Sequence, residues 1–220
     1  MITFQAWPKT PRLFRDMVVT EKLDGTNAAV IIEDAWDHLD DSGRSFGAYH
    51  LEYIKSWVAH DAKVVEHDGR IYLVGAQSRK QLVTPGKSTD NHGFAGWVYE
   101  HAADLVALLG PGRHFGEWWG SGINRGYGLT GGEKRFSLFN VNRYAGISGV
   151  FKDIDLVPTL AEGPFDLDDV RHILRELEKN GSSAAPGFMR PEGVVVYHTA
   201  ARQTFKALIE NDEAPKGSAS

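Results

Sequence analysis

A chain of 220 residues is sized for one domain, or one domain with a small appendage. Its 42% hydrophobic and 24% charged content is that of an ordinary globular protein, and with zero cysteines it has no disulfides and no thiolate metal sites. The net charge of −5, from 24 basic and 29 acidic residues, argues against a protein that coats nucleic acid by charge alone, while leaving room for a local basic groove.

Residues 1–16 read as an irregular lead-in, because Pro8 and Pro11 block regular structure. The opening MITFQAWPKTPRLF has no signal-peptide pattern, and no apolar run nears the roughly 18 residues of a membrane span, so a cytoplasmic location is expected. Met17-Val18-Val19 and Ala28-Ala29-Val30-Ile31-Ile32 are β-branched, apolar runs that predict buried strands. Residues 34–48 read as a surface excursion and 49–61 as a short helix. Residues 63–66 and 70–75 flank His67-Asp68-Gly69, a hairpin signal. The Gly-rich stretch 84–96 reads as a loop that could line a ligand, with Asp90-Asn91-His92 as guessed substrate contacts. Residues 97–109 have helical periodicity and stop at Gly110-Pro111-Gly112.

Strands are expected over 115–119 and 135–141. A further helix should present Leu167, Val170, Ile173, Leu174 and Leu177 on one face, with Asp166 as N-cap and Asn180-Gly181 at its end. Residues 194–197 and 204–209 are the last expected strands. Many strands, few helices and no βαβ alternation predict an α+β fold with antiparallel sheets.

The chemical signal is Lys22, which stands in Glu21-Lys22-Leu23-Asp24-Gly25-Thr26-Asn27 between two buried runs. Lysine is strongly hydrated and is depleted from such places unless paired or chemically used. A lysine that attacks phosphorus must lose its proton, from an ordinary pKa of about 10.4, and the departing pyrophosphate must be neutralised. Such a site calls for carboxylates to hold metal, an aromatic ring to stack a base, and basic groups for phosphates. The nine histidines show no spacing that favours zinc.

The order of motifs resembles the covalent nucleotidyltransferases, and within them the ATP-dependent RNA ligases of the RNA ligase 2 type. Lys22-Leu23-Asp24-Gly25-Thr26-Asn27 is similar to their first motif, Ser78-Arg79 to the next, and Gly116-Glu117-Trp118 to a third. Phe136-Ser137-Leu138-Phe139-Asn140 and Glu192-Gly193-Val194-Val195 are similar to two more, and Thr204-Phe205-Lys206 half matches a final Lys-x-Lys. Each motif alone is weak; six in family order over roughly residues 17 to 210 are a strong signal.

The resemblance implies a nucleotidyltransferase (ATP-grasp-like) domain of antiparallel sheets flanked by helices. It would cover 1–210, with a flexible tail at 211–220; ligases of this superfamily usually carry a further C-terminal domain, and as a departure from that pattern no C-terminal OB or other accessory domain is expected here. It implies that Lys22 takes AMP from ATP as a lysyl phosphoramidate, with Lys206 touching the α-phosphate. Glu21 and Asn27 would hold the adenosine and its surroundings, Arg79 the ribose or phosphates, and Phe139, rather than Phe136, would stack on adenine. Glu117 would bind ribose or metal and Glu192 metal, with Mg²⁺ or, as a substitute, Mn²⁺ as the cation. The partners implied are RNA ends bearing 3′-hydroxyl and 5′-phosphate, most simply at a nick, with DNA or DNA/RNA nicks as the alternative. Thr204, in place of a motif lysine, motivates a rival reading as a catalytically idle nucleotide- or RNA-binding module, unless another cation such as Lys216 substitutes.

Overall fold

In the computed structural model, which describes residues 2–35, 62–210 and 212, the chain divides into two compact units. The first is built from residues 1–23 and 157–220, the second from 24–156. Among the described residues no helix is long and apolar enough to cross a membrane.

In the first unit, strand β1 (Asp16–Lys22) alternates, so that Met17, Val19 and Glu21 point to one face of the sheet and Val18, Thr20 and Lys22 to the other. Its sheet has the order β11-β10-β1-β9, all antiparallel, with β9 (Thr159–Pro164), β10 (Gly193–His198) and β11 (Gln203–Leu208). Met17, Val19, Val194 and Val196 form the core with Val170 and Leu177 of helix α3 (Leu167–Asn180). Burying each such side chain stabilises by about 1.5–3 kcal/mol. The α3 ends are as expected: the Asp166 carboxylate accepts from the Asp168 N–H at 2.7 Å, and Gly181 closes the helix with φ 84°. Leu167, expected on the apolar face, lies at the first turn and is exposed.

The second unit contains a seven-stranded sheet of order β3-β4-β2-β6-β7-β8, with the short β5 (Leu82–Val83) beside β4. The strands are β2 (Thr26–Asp34), β3 (Lys63–His67), β4 (Arg70–Ser78), β6 (Gly112–Gly120), β7 (Lys134–Leu138) and β8 (Ile154–Leu156). Every pairing is antiparallel except β7 with β8. The β3–β4 turn is the expected one: Asp68 and Gly69 have φ of 50° and 72°, the left-handed pair that suits a two-residue hairpin.

One face of this sheet is covered by α1 (Phe94–Glu100) and α2 (Ala102–Leu109), and its core includes Val30, Ile32, Val74, Phe94, Val98, Leu105, Trp118 and Phe136. The helix expected over 97–109 is therefore longer and broken. It begins at Phe94 because the Asp90 carboxylate accepts from the Ala95 and Gly96 N–H groups at 2.7 and 2.9 Å, a capping signal hidden inside a Gly-rich stretch. It breaks at His101, whose ψ of 16° leaves the helical range. The strand expected over 135–141 stops at Leu138, because Asn140 and Val141 turn away, with the Arg143 N–H donating to the Asn140 side chain. Strands β5, β8 and β9 are too short or too polar to have shown a pattern. The expected helix over 49–61, and most of the excursion over 34–48, lie outside the described residues.

His114 is fully buried on β6. Its Nε2–H donates to the Gly110 carbonyl at 3.0 Å, so Nδ1 accepts from the Tyr144 hydroxyl at 2.9 Å. Burial holds the imidazole down at about 4. The unfolded chain takes up a proton below about 6.5, so the folded state loses stability between pH 6.5 and 4, by roughly 3 kcal/mol for this group. Urea melts across this range should show that slope, and His114→Leu should flatten it.

Candidate active site

Lys22 is the last residue of β1, at a position where the sheet is irregular. The β1–β9 register slips between Val19 and Thr20, and the Glu21 N–H reaches the Pro158 carbonyl at 2.9 Å. The extra residue, Leu160, belongs to β9, while β1 keeps unbroken register with β10 through Lys22. The Lys22 ammonium is ion-paired with the Glu192 carboxylate, and both side chains are partly buried.

Register explains the pairing. Lys22 lies opposite Gly193, so Glu192 enters β10 at the very end of β1. Gly193 has φ 153°, and a Cβ there would come within 2.2 Å of the Ala207 carbonyl oxygen and 2.8 Å of the Leu208 Cα on β11. Only glycine lets β10 and β11 close at this point. On the same sheet, Thr20 pairs with Val195 and Val195 with Lys206, while Tyr197 pairs with Thr204. Directly paired residues share a face. Lys22, Lys206 and Thr204 therefore lie on one face, and Lys206 is exposed there.

Glu21 points the other way. It is 1% exposed, and its carboxylate accepts from the Ser183 and Ala184 N–H groups at 2.8 and 3.0 Å. Burial raises this carboxyl above the usual range, against the hydrogen bonds from residues 182–184. Its observed contacts anchor the segment after α3.

In the second unit, Asp24 and Gly25 form the turn into β2. The Asp24 N–H donates to the Tyr127 hydroxyl at 3.0 Å, and its carboxylate accepts from Asn124 at 3.0 Å and Arg125 at 3.1 Å. Asn124 also donates to the Gly25 carbonyl at 2.7 Å. Gly25 has no room for a side chain: a Cβ would lie 2.4 Å from the Trp118 carbonyl oxygen and 2.8 Å from the Trp119 Cβ. The Gly25 N–H donates to the Glu117 carboxylate at 3.2 Å. The loop residues Asn124 and Tyr127 carry no motif in the sequence, and Arg125 stands there only as one of several scattered basic residues. The available signal was a Gly-rich run after β6, in which Asn124 and Tyr127 take left-handed φ of 42° and 50°.

Asn27 pairs with Glu117, and Glu117 with Ser137, so the three share one face of the sheet. The β2–β4 register ends at Ala28–Ser78, and Arg79 and Asn27 are the next residues on either side. Phe136 is fully buried, whereas Phe139 is 38% exposed and its N–H donates to the Phe115 carbonyl at 3.0 Å. Of the two rings, the exposed one is Phe139. Trp118 and Trp119 are both buried, their indole N–H groups donating to the His92 carbonyl at 3.2 Å and the Ser137 hydroxyl at 2.9 Å. Of Asp90, Asn91 and His92, Asp90 caps α1 and Asn91 donates to the Thr26 hydroxyl at 3.2 Å.

Among the described residues no three His, Cys, Asp or Glu side chains gather as a metal cage. Carboxylate oxygens, of the kind Glu117 and Glu192 each carry, are donors that magnesium takes alongside phosphate and water.

Residues 15–208 match the RNA ligase family model. The chain belongs to the RNA ligase family. Two solved variants of Naegleria gruberi RNA ligase with AMP and Mn share its fold, each at 15% identity and over 89% of this chain and 50% of theirs, with TM-scores of 0.52 and 0.53. A third variant, with ATP and Mn, matches at 14% identity over 90% of this chain and 51% of its own, with a TM-score of 0.51. The chain thus spans about half the length of these structures. No curated protein matched it. The fold of this RNA ligase family member is the expected α+β class, with predominantly antiparallel sheets.

The Gly193 contact has a direct consequence for stability. Gly193→Ala should cost roughly 3 kcal/mol by forcing β10 from β11, read by urea melts, whereas Gly187→Ala, where a Cβ meets nothing, should cost about 1 kcal/mol from its left-handed φ alone.

Proposed function

We propose that this chain is an ATP-dependent RNA ligase in which Lys22 is the covalent nucleophile. The observation that carries this reading is Lys22 at a strand end, ion-paired with Glu192 and sharing its sheet face with Lys206, inside the family match. The ion pair is the arrangement of the unreacted protein, because attack requires the neutral amine.

In the first step the Lys22 amine, having given a proton to solvent, attacks the α-phosphorus of ATP. The N–P bond forms, the bond from that phosphorus to the bridging oxygen breaks, and pyrophosphate leaves. AMP then passes from Lys22 to a 5′-phosphate oxygen, releasing the lysine. A 3′-hydroxyl attacks that 5′-phosphorus, AMP departs, and a phosphodiester remains.

We assign Lys206 to the charge that builds on the α-phosphate and Phe139 to stacking on adenine. Asn27 and Glu21 hold the adenosine and its surroundings, Glu21 through the 183–184 backbone it anchors. Arg79, exposed directly after β4, serves the ribose or phosphates and the acceptor end. Glu192 and Glu117 are the carboxylates assigned to Mg²⁺, or Mn²⁺ in its place, which supplies positive charge against the departing pyrophosphate. The AMP, ATP and Mn of the Naegleria structures support this choice of ligands. The substrate proposed is RNA with 3′-hydroxyl and 5′-phosphate ends at a nick, in the cytoplasm where ATP is at hand; DNA or hybrid nicks are the alternative. Thr204, which puts a hydroxyl where the motif has an ammonium, supports a second reading as an idle binding module.

Incubation with α-labelled ATP and Mg²⁺, followed by denaturation, tests the first step. Label should stay on the wild type and be absent from Lys22→Ala, while Lys206→Ala should slow labelling about 100-fold and Glu192→Gln about 10- to 100-fold. An unlabelled wild type establishes the idle module. Label from GTP instead of ATP points to a capping-type enzyme, and a panel of RNA, DNA and hybrid nicks assigns the substrate.

A further inference from the structure

The lead-in before β1 contains Phe4, Trp7 and Phe14, which are 94%, 90% and 80% exposed. Burying a side chain of this kind is worth about 1.5–3 kcal/mol, so three left in water on one short segment mark a surface kept for a partner. Among the described residues, the segment is tethered at its base. The His198 Nε2–H donates to the Leu13 carbonyl at 2.6 Å, and the Phe165 N–H to the Arg15 carbonyl at 2.9 Å. Among the described residues, no hydrogen bond, ion pair or ring contact holds residues 2–12.

Charge identifies the partner. Residues 1–15 contain Lys9, Arg12 and Arg15 and no acid, in a chain whose net charge is −5. Two rings, Phe4 and Trp7, precede two cations, Lys9 and Arg12, and the ring of Phe14 precedes Arg15. Rings that stack bases, interleaved with cations that meet phosphates, are what a single strand of nucleic acid requires. Pro8 and Pro11 favour an extended chain of about 3.1 Å per residue, so residues 2–13 can reach about 35–40 Å.

We propose that residues 2–15 form a strap for single-stranded RNA, with Phe4, Trp7 and Phe14 stacking on bases and Lys9, Arg12 and Arg15 neutralising phosphates. Its identification with RNA rests on the ligase reading above. The strap joins β1 six residues before Lys22, about 20 Å away along the strand. It therefore grips nucleotides that flank the reacting end and acts on substrate affinity, not on adenylylation.

The test is fluorescence anisotropy with a labelled, 5′-phosphorylated single-stranded RNA, run on the full chain. Phe4→Ala, Trp7→Ala and Phe14→Ala combined should weaken binding at least about tenfold, the effect of even one lost stack. Lys9→Gln with Arg12→Gln should lower the slope of log affinity against log salt by about 1.4, or about 0.7 per phosphate contact. Removal of residues 2–12 gives a backbone-level version, and circular dichroism should find all three variants folded, because these side chains are exposed. Unchanged affinity and salt slope overturn the proposal. So does a change in oligomeric state by light scattering with RNA affinity intact, which makes the segment a protein-docking arm. Self-labelling from ATP needs no RNA and should be equal in every strap variant. If the wild type fails to label, the ligase reading fails, while anisotropy still decides the strap.

Discussion

The closing of β10 on β11 at Gly193 governs the arrangement around the lysine. Because no side chain intervenes, the two backbones meet where β1 ends, and Glu192 enters the sheet opposite Lys22. The same closeness fixes the register that carries Lys206 and Thr204 onto the face of Lys22. A lysine on a loop could sample many rotamers and backbone positions; here its backbone belongs to a ladder and its ammonium to a carboxylate. In the nucleophilic role proposed for Lys22, such restriction removes freedom that an in-line attack would otherwise have to lose at the transition state.

The residues after Lys22 solve a different problem. Asp24 and Gly25 act as a clamp. The Asp24 carboxylate and N–H are taken up by Asn124, Arg125 and Tyr127, and Gly25 lies against the Trp118–Trp119 backbone with no room for a methyl group. These two motif positions are thus accounted for by packing and hydrogen bonding within the second unit. Thr26 and Asn27 then enter β2, where Asn27 shares a face with Glu117. One short stretch of sequence therefore contributes to two sheets, ending β1 and starting β2.

The lead-in gives the acidic chain a basic, aromatic feature set apart from its folded cores. Residues 1–15 hold Lys9, Arg12 and Arg15 and no acid, and their rings are the most exposed aromatic side chains described. With the proposed strap on this lead-in and the proposed chemistry at Lys22, affinity for a strand can vary without disturbing the geometry around Lys22.

By itself the sequence determined the elements with strong local signals. These were the hairpin at Asp68-Gly69, α3 with its Asp166 cap and Gly181 stop, the buried runs around Lys22, and Lys22 as the unusual lysine. Such features depend on neighbours a few residues apart, so they are written locally. The motifs also named Glu117, Phe139, Glu192 and Lys206, but as an order along the chain and not as positions in space. Tertiary structure decided what rests on register and burial: that β1 and β2 belong to different sheets, that Glu21 and Lys22 face opposite ways, and that Phe136 is core while Phe139 is exposed. It also decided that Asn124, Arg125 and Tyr127 hold Asp24, about a hundred residues away in sequence. Pairings at that separation leave no periodic trace in the chain, because strand register and close backbone contact are properties of the folded sheet alone.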